Sequence, residues 1–146
     1  MPDDRTFVEH NRAATARIAT LTTTLSEEEL QSPVGAHWTV AIALAHLAFW
    51  DRRVSAMLDD TERAGQLSFP QIDFSVNDLA LPFLAAIPPR IAARLAVESA
   101  ETLDRRLEAF PAPLLDQLNA HNARWVDRSL HRNEHLDEIE AALHAL

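Results

Sequence analysis

Two histidines near the end of the chain, His131 and His135, are spaced H-x-x-x-H. On a helix that spacing lays both imidazoles on one face, one turn apart. It is the spacing by which zincin helices offer two ligands to one metal. A third histidine, His46, lies in the strongly apolar helical segment from Trp38 to Trp50. An imidazole facing inward there is placed to complete a three-nitrogen site. Three protein ligands leave a coordination position open, which is how catalytic metal sites are built. Taken singly, each signal has a plainer reading. A lone core histidine is more often hydrogen-bonded than ligating. An isolated H-x-x-x-H among charges such as Arg132, Glu134, Asp137 and Glu138 fits a solvated face. The joint arrangement favours ligation, because close, buried imidazoles are costly to desolvate unless coordinated or hydrogen-bonded. His10, His37, His121 and His144 have no comparable partner spacing.

The composition narrows the chemistry further. With no Cys, a thiolate nucleophile, a disulfide and a Cys-ligated metal are all excluded, so His, Asp or Glu must hold any metal. The formal net charge of -9 argues against nucleic acid, since phosphate binding needs a basic face. All of the basic residues are Arg. The acidic start Met1-Pro2-Asp3-Asp4-Arg5 has no apolar core of signal-peptide length. No uncharged apolar run reaches the ~20 residues needed to span a bilayer. These features predict a cytoplasmic protein without a membrane partner.

At 146 residues the chain has the size of one domain, and residues 1–146 are read as a single domain. Ala and Leu dominate and Gly is scarce, which favours helix over sheet. The expected fold is all-α, a four-helix bundle with a long connection between its second and third helices. The first helix is predicted from about residue 4 to 24, followed by a capping box at Ser26-Glu27-Glu28-Glu29. The second starts at the N-cap Thr39 and ends near Ala64, with Gly65 at C′. His46 falls inside its apolar stripe, with Leu47, Trp50, Val54 and Met57. Pro70, Pro82, Pro88 and Pro89 punctuate the connection, with a short helix from about Asn77 to Ala86. Its Phe69, Phe74 and Phe83 mark either a crossover packed on the bundle or part of a site wall. The third helix opens at Pro88-Pro89 and runs to about Phe110. The last is predicted as one helix over roughly 114–144, with His131 and His135 on the shoulder of a stripe that includes Trp125 and Leu136.

Two segments also resemble a known family. The W-T-V…A-H-L…W-D-R pattern from Trp38 to Arg52 looks like the second helix of the DinB/YfiT-like metalloenzymes. The segment His131-Arg132-Asn133-Glu134-His135 resembles that family's terminal H-x-x-x-H helix. The resemblance implies a homodimeric four-helix bundle in which His46, His131 and His135 ligate one divalent ion, zinc or nickel. Relatives with Glu in place of the first histidine of the pair act as mycothiol-dependent maleylpyruvate isomerases. This chain has His131 there, as the DinB branch does. Other relatives conjugate low-molecular-weight thiols such as mycothiol or bacillithiol. No second domain and no clear thiol-binding signature are recognisable here.

The expected function is that of a metal-dependent enzyme. A three-histidine site with open positions lowers the pKa of bound water or thiol and presents the anion as a nucleophile. The implied reactions on a small-molecule substrate are thiol S-transfer to an electrophile, isomerisation or hydrolysis. Asp51 and Glu138 are candidates to orient ligands or relay protons, and Arg128 to bind a carboxylate. Each of these three also reads as plain surface charge. The alternative is a non-catalytic metal-binding or dimerisation module of stress response.

Overall fold

Side-chain or glycine caps mark the ends of two of the α-helices. The computed structural model describes residues 5–69 and 74–145. The start at residues 1–4 and Pro70 lie outside them. Helix α1 spans Thr6–Thr24. The one-turn α2, Glu27–Leu30, carries the expected capping box, with Ser26 and Glu29 satisfying each other's backbone N–H. Helix α3 spans Val40–Ala64; Thr39 Oγ1 accepts the Ile42 N–H at 3.1 Å, and Gly65 ends the helix at φ 68°. That left-handed conformation suits Gly because it lacks a Cβ. Helix α4, Ser75–Ala85, is the short helix of the connection, and α5, Pro89–Ala109, begins on a proline.

Two features differ from the sequence reading. Residues Pro33–Val34 (β1) and Trp38–Thr39 (β2) form a small antiparallel hairpin, turned at Gly35 with φ 66°. The predicted last helix is also broken. Helix α6 covers Ala112–His121, a 3-10 turn covers Ala123–Trp125, and α7 covers Ser129–His144. Asn122 Oδ1 accepts the Arg124 N–H, and Asp127 Oδ1 accepts the Ser129 N–H. Asn11 of α1 reaches across to accept the N–H groups of Arg128 (2.8 Å) and Ser129 (3.2 Å). Side chains thus take over backbone donors that a continuous helix would have satisfied itself.

The described chain is mostly helical. The long helices α1, α3, α5 and α7 pack around a shared interior: α1 against α5 and α7, and α3 against α5 and α7. Buried apolar residues form three clusters. One gathers Ile18, Leu44, Leu47, Ala96, Leu136 and Ile139. A second gathers Phe7, Val54, Met57, Leu103, Leu118 and Trp125, and a smaller third joins Leu84 of α4 to Ala41, Ile42, Ala45 and Ala92. Buried polar residues accompany the first two on every long helix: Asn11 and Thr15 on α1, Asp51 on α3, Asp104 on α5 and Arg132 on α7.

This layer is a charge network. Arg128 Nε donates to Asp51 Oδ1 at 3.1 Å, and Arg132 Nε donates to Asp51 Oδ2 at 3.0 Å. Arg132, fully buried, also donates to the Asn11 carbonyl and Thr15 Oγ1. Its Nη1 lies 2.9 Å from Asp104 Oδ1, an ion pair without an aligned hydrogen bond. The solvated-face reading of Arg132 is therefore wrong: its neighbours at i±1 are part-exposed, but its own position points inward. Two carboxylates and two guanidiniums cancel within the layer. Removing one member leaves a buried charge without its partner, which typically costs 3–5 kcal/mol. Asp51→Asn is expected to lower the unfolding free energy by about 3–5 kcal/mol in urea titration. Arg106→Gln, which breaks exposed pairs to Asp59 and Glu62, should cost no more than about 1 kcal/mol. Equal losses in the two variants would show that the layer does not clamp the helices.

Candidate metal centre

His46 lies on α3, one helical turn and a residue before Asp51; His131 and His135 lie on α7, on either side of Arg132. The clamp between Asp51 and Arg132 therefore brings the imidazoles together. His46 Nε2 and His131 Nε2 stand 3.3 Å apart. One nitrogen from each of the three rings lies within 4.8 Å of the others. The site residues named from sequence thus converge. His46 is buried, and the other two are part-exposed.

Burial makes His46 and His131 poor proton acceptors. Desolvation, and then the charge of His135, push His46 down from 6.5 to about 3. Desolvation pushes His131 down to about 2, helped by the Arg128 charge and then by His135 and His46. Both rings are neutral at ordinary pH and hold a lone pair each, the form a metal ion requires. His135 Nδ1 lies 3.2 Å from Glu138 Oε2. With Nδ1–H donating to that carboxylate, Nε2 is left as the free donor atom. Glu138 thus occupies the orienting position proposed from sequence. Asp51 does not: its carboxylate is spent on Arg128 and Arg132.

The donor set suits a borderline divalent ion such as zinc or nickel. For metal–nitrogen bonds of about 2.0–2.1 Å, a tetrahedral edge is about 3.3–3.4 Å. The His46–His131 separation already has that length, and the cluster as a whole is looser. One contact opposes ligation. Arg128 Nη2 lies 3.3 Å from His131 Nδ1, and a guanidinium can only donate. In this arrangement His131 carries its proton on Nε2, facing His46. Ligation through Nε2 requires the proton to leave that atom and the Arg128 contact to be given up.

Two environments flank the rings. Trp38, delivered by β2, stacks near His46 (4.7 Å between centroids) and His135 (5.5 Å). On the other flank a cavity of about 390 Å³ is lined by all three histidines. Its apolar walls are Trp50, Phe74 and Trp125, and its polar lining includes Asn77, Arg124, Arg128 and Glu134. Trp50 Nε1 donates to Asn77 Oδ1 at 2.9 Å, tying the wall of α3 to α4. Of the phenylalanines suggested as a wall, only Phe74 serves. Phe69 stacks on His121 at 3.9 Å, and Phe83, exposed to the same degree as Phe74, is not among the residues lining this cavity. Arg128, offered as a carboxylate binder, binds the chain's own Asp51 but also lines the cavity. Sequence reasoning missed Trp38 as a cover and Arg124 and Glu134 as lining residues. No spacing rule links residue 38 to the histidines and the helix break separates Arg124 from them, whereas Glu134 stands at i+3 from His131 and was open to a same-face reading.

A family model described as mycothiol maleylpyruvate isomerase N-terminal domain matches residues 11–132. The matched range contains His46 and His131 and stops short of His135. No curated protein and no solved structure matches the chain.

The depressed basicity of the rings has a consequence for metal-free protein. Below about pH 6.5 the unfolded chain binds a proton on each histidine, whereas the folded chain leaves His46 and His131 unprotonated down to about 3 and 2. Stability is therefore complete above the unfolded value and is lost as the pH falls, by up to about 1.4 kcal/mol per pH unit for each ring. Urea midpoints of chelator-treated protein should fall more steeply from pH 7 to pH 5 in the wild type than in His131→Asn. Parallel declines would contradict the assignment.

Proposed function

The chain belongs to the mycothiol maleylpyruvate isomerase N-terminal domain family, a DinB-like family, and from that premise we propose that it is a metal-dependent enzyme acting on a small thiol. In this reading residues 1–146 form one four-helix-bundle domain, and His46, His131 and His135 hold one divalent ion. The observation that carries it is the contact between all three imidazoles and a cavity with aromatic walls. A non-catalytic metal module has no need of such a cavity, whereas a site for small substrates does.

A bound zinc or nickel ion supplies Lewis acidity, favouring the anionic form of a thiol or water at neutral pH. The chain's own residues do the rest. Neutral imidazoles leave the positive charge of such an ion uncompensated by protein. Glu138 fixes the His135 tautomer. Trp38 packs against His46 and His135, and the cavity that all three rings line is the approach we assign to a reactant. Trp50, Phe74 and Trp125 offer apolar contact to an electrophile held there. Transfer breaks the thiol S–H bond, whose proton passes to solvent, and forms a bond from sulfur to the electrophilic atom, which releases its leaving group with the bonding electron pair. The family's name ties it to mycothiol, and mycothiol or bacillithiol is the thiol we assign. The same reading makes the protein a cytoplasmic homodimer that binds neither nucleic acid nor membrane. No helix among the described residues is long and apolar enough to cross a membrane.

Elemental analysis after gentle purification should show near-stoichiometric zinc or nickel, lost in His131→Ala. Equal occupancy in the two proteins would remove the ligand assignment. Thiol consumption against a panel of electrophiles should be faster with metal-loaded protein than with metal-free protein or free metal at the same concentration. It should fall at acid pH, where protons compete for the ligands. His46→Ala should abolish turnover while circular dichroism reports an intact helical fold. If loaded protein is no faster than free metal with mycothiol, bacillithiol and glutathione, the thiol-transfer reading fails. Light scattering at micromolar concentration tests the dimer, and a monomeric mass would rule it out.

A further inference from the structure

The cavity beside the imidazoles carries charge of an unexpected sign. The chain as a whole is strongly acidic, at -9. The charged residues lining this cavity are two arginines, Arg124 and Arg128, and one carboxylate, Glu134. Arg124 stands on the 3-10 turn and Glu134 on α7. They form a two-pronged pair, Nη1 to Oε1 at 3.0 Å and Nη2 to Oε2 at 2.9 Å. Both side chains are about half exposed (42% and 54%). An ion pair in that setting is weak and readily exchanged. Its geometry is that by which a guanidinium holds any carboxylate.

Arg128 is differently placed. It is buried, and its side chain spends three N–H groups, on Asp51, on the Arg124 carbonyl and on His131. A guanidinium has five, and Arg128 itself is one of the residues lining the cavity. Trp50, Phe74 and Trp125 line it as well. The lining therefore combines aromatic side chains with more guanidinium groups than carboxylates.

We infer that the cavity selects a flat apolar molecule bearing one carboxylate, that Arg124 is the residue which selects it, and that Glu134 competes for Arg124 until such a ligand displaces it. The inference rests on the proposed reading of this cavity as the substrate site, and it assigns the substrate class. A neutral ligand of the same shape gains the aromatic contacts but leaves Arg124 with Glu134. An anionic ligand exchanges Glu134 for its own carboxylate, and the released Glu134 returns to solvent. The two members of the pair thus have opposite effects on affinity. Loss of Arg124 weakens the anion, and loss of the Glu134 charge strengthens it.

Calorimetric titration of the full chain with 2-naphthoate and with its neutral isostere 2-naphthamide tests this. Wild-type protein should bind the acid about tenfold more tightly than the amide. Glu134→Gln should tighten the acid by about three- to tenfold and leave the amide unchanged. Arg124→Gln should remove most of the preference. Both positions are exposed enough to keep the fold, which circular dichroism checks. Equal binding of acid and amide by the wild type, no binding of either at millimolar concentration, or no tightening in Glu134→Gln would each overturn the inference. Each titration is run with metal-loaded and with chelator-treated protein. A preference confined to loaded protein and indifferent to Arg124→Gln would place the carboxylate on the metal and also overturn it. Failure of thiol transfer would leave these affinities unmoved, so the two readings fail separately.

Discussion

The structure depends on one carboxylate. Asp51 sits on α3 with an arginine on each oxygen, Arg128 before α7 and Arg132 within it. Apolar contacts above and below this level are tolerant of sliding, because Leu, Ile and Ala side chains on neighbouring helices can repack with little loss. A buried carboxylate accepting from two guanidiniums is not tolerant: displacement by one turn leaves several charges without partners. The layer contributes little net stability once desolvation is counted, and what it supplies is register. Register matters here because His46 precedes Asp51 on α3 while His131 and His135 bracket Arg132 on α7. The spacing between the imidazoles is thus inherited from the spacing between ion-pair partners.

The same layer shapes the chemistry of the rings. Arg128 is both a ligand of Asp51 and a neighbour of His131 Nδ1. Its positive charge adds to desolvation in keeping His131 unprotonated. A proton and a metal ion compete for the same lone pairs, so a site that rejects protons is prepared for a cation with stronger bonds. Arg128 also resists that cation, through like charge and through its claim on Nδ1. Ligation through Nε2 would set coordination bonds against that one long hydrogen bond.

What could be read from the sequence, and what could not, divides by the range of the interaction. Thr39, Gly65, the Ser26–Glu29 box and Pro89 act on backbone within a few residues, and each marked its helix end. That His131 and His135 share one face was legible for the same reason, as an i, i+4 spacing on one helix. The break between α6 and α7 was not, because its donors are satisfied by Asn11, 117 residues away in the chain from Arg128. Neither Gly nor Pro marks that break, and Asn122 and Asp127 read as ordinary helix-surface residues unless their capping geometry is known. Arg132 failed for a related reason. Periodicity assigns charged residues outward, and only the presence of Asp51 and Asp104 on two other helices makes an inward arginine tolerable. The wall residues Phe74 and Trp125 were present in the sequence as aromatics, but which of them faced the site was set by the packing of α4 and the 3-10 turn.

The approach to the rings is bounded in part by Trp38. The hairpin that carries Trp38 is only two residues wide on each strand, and its turn needs Gly35 in a left-handed conformation. So short a sheet has little stability of its own; it is held because Val34 packs into the apolar core and Trp38 packs on the imidazoles. Trp38 therefore covers His46 and His135 as a consequence of holding the hairpin down. His135 also edges a second hollow beside Val34, His37 and Trp38, whereas the cavity beside the Arg124–Glu134 pair is lined by all three rings. A reactant that reaches the rings through that cavity meets aromatic side chains and guanidinium groups on the way, so its lining sorts by shape and charge what the imidazoles receive.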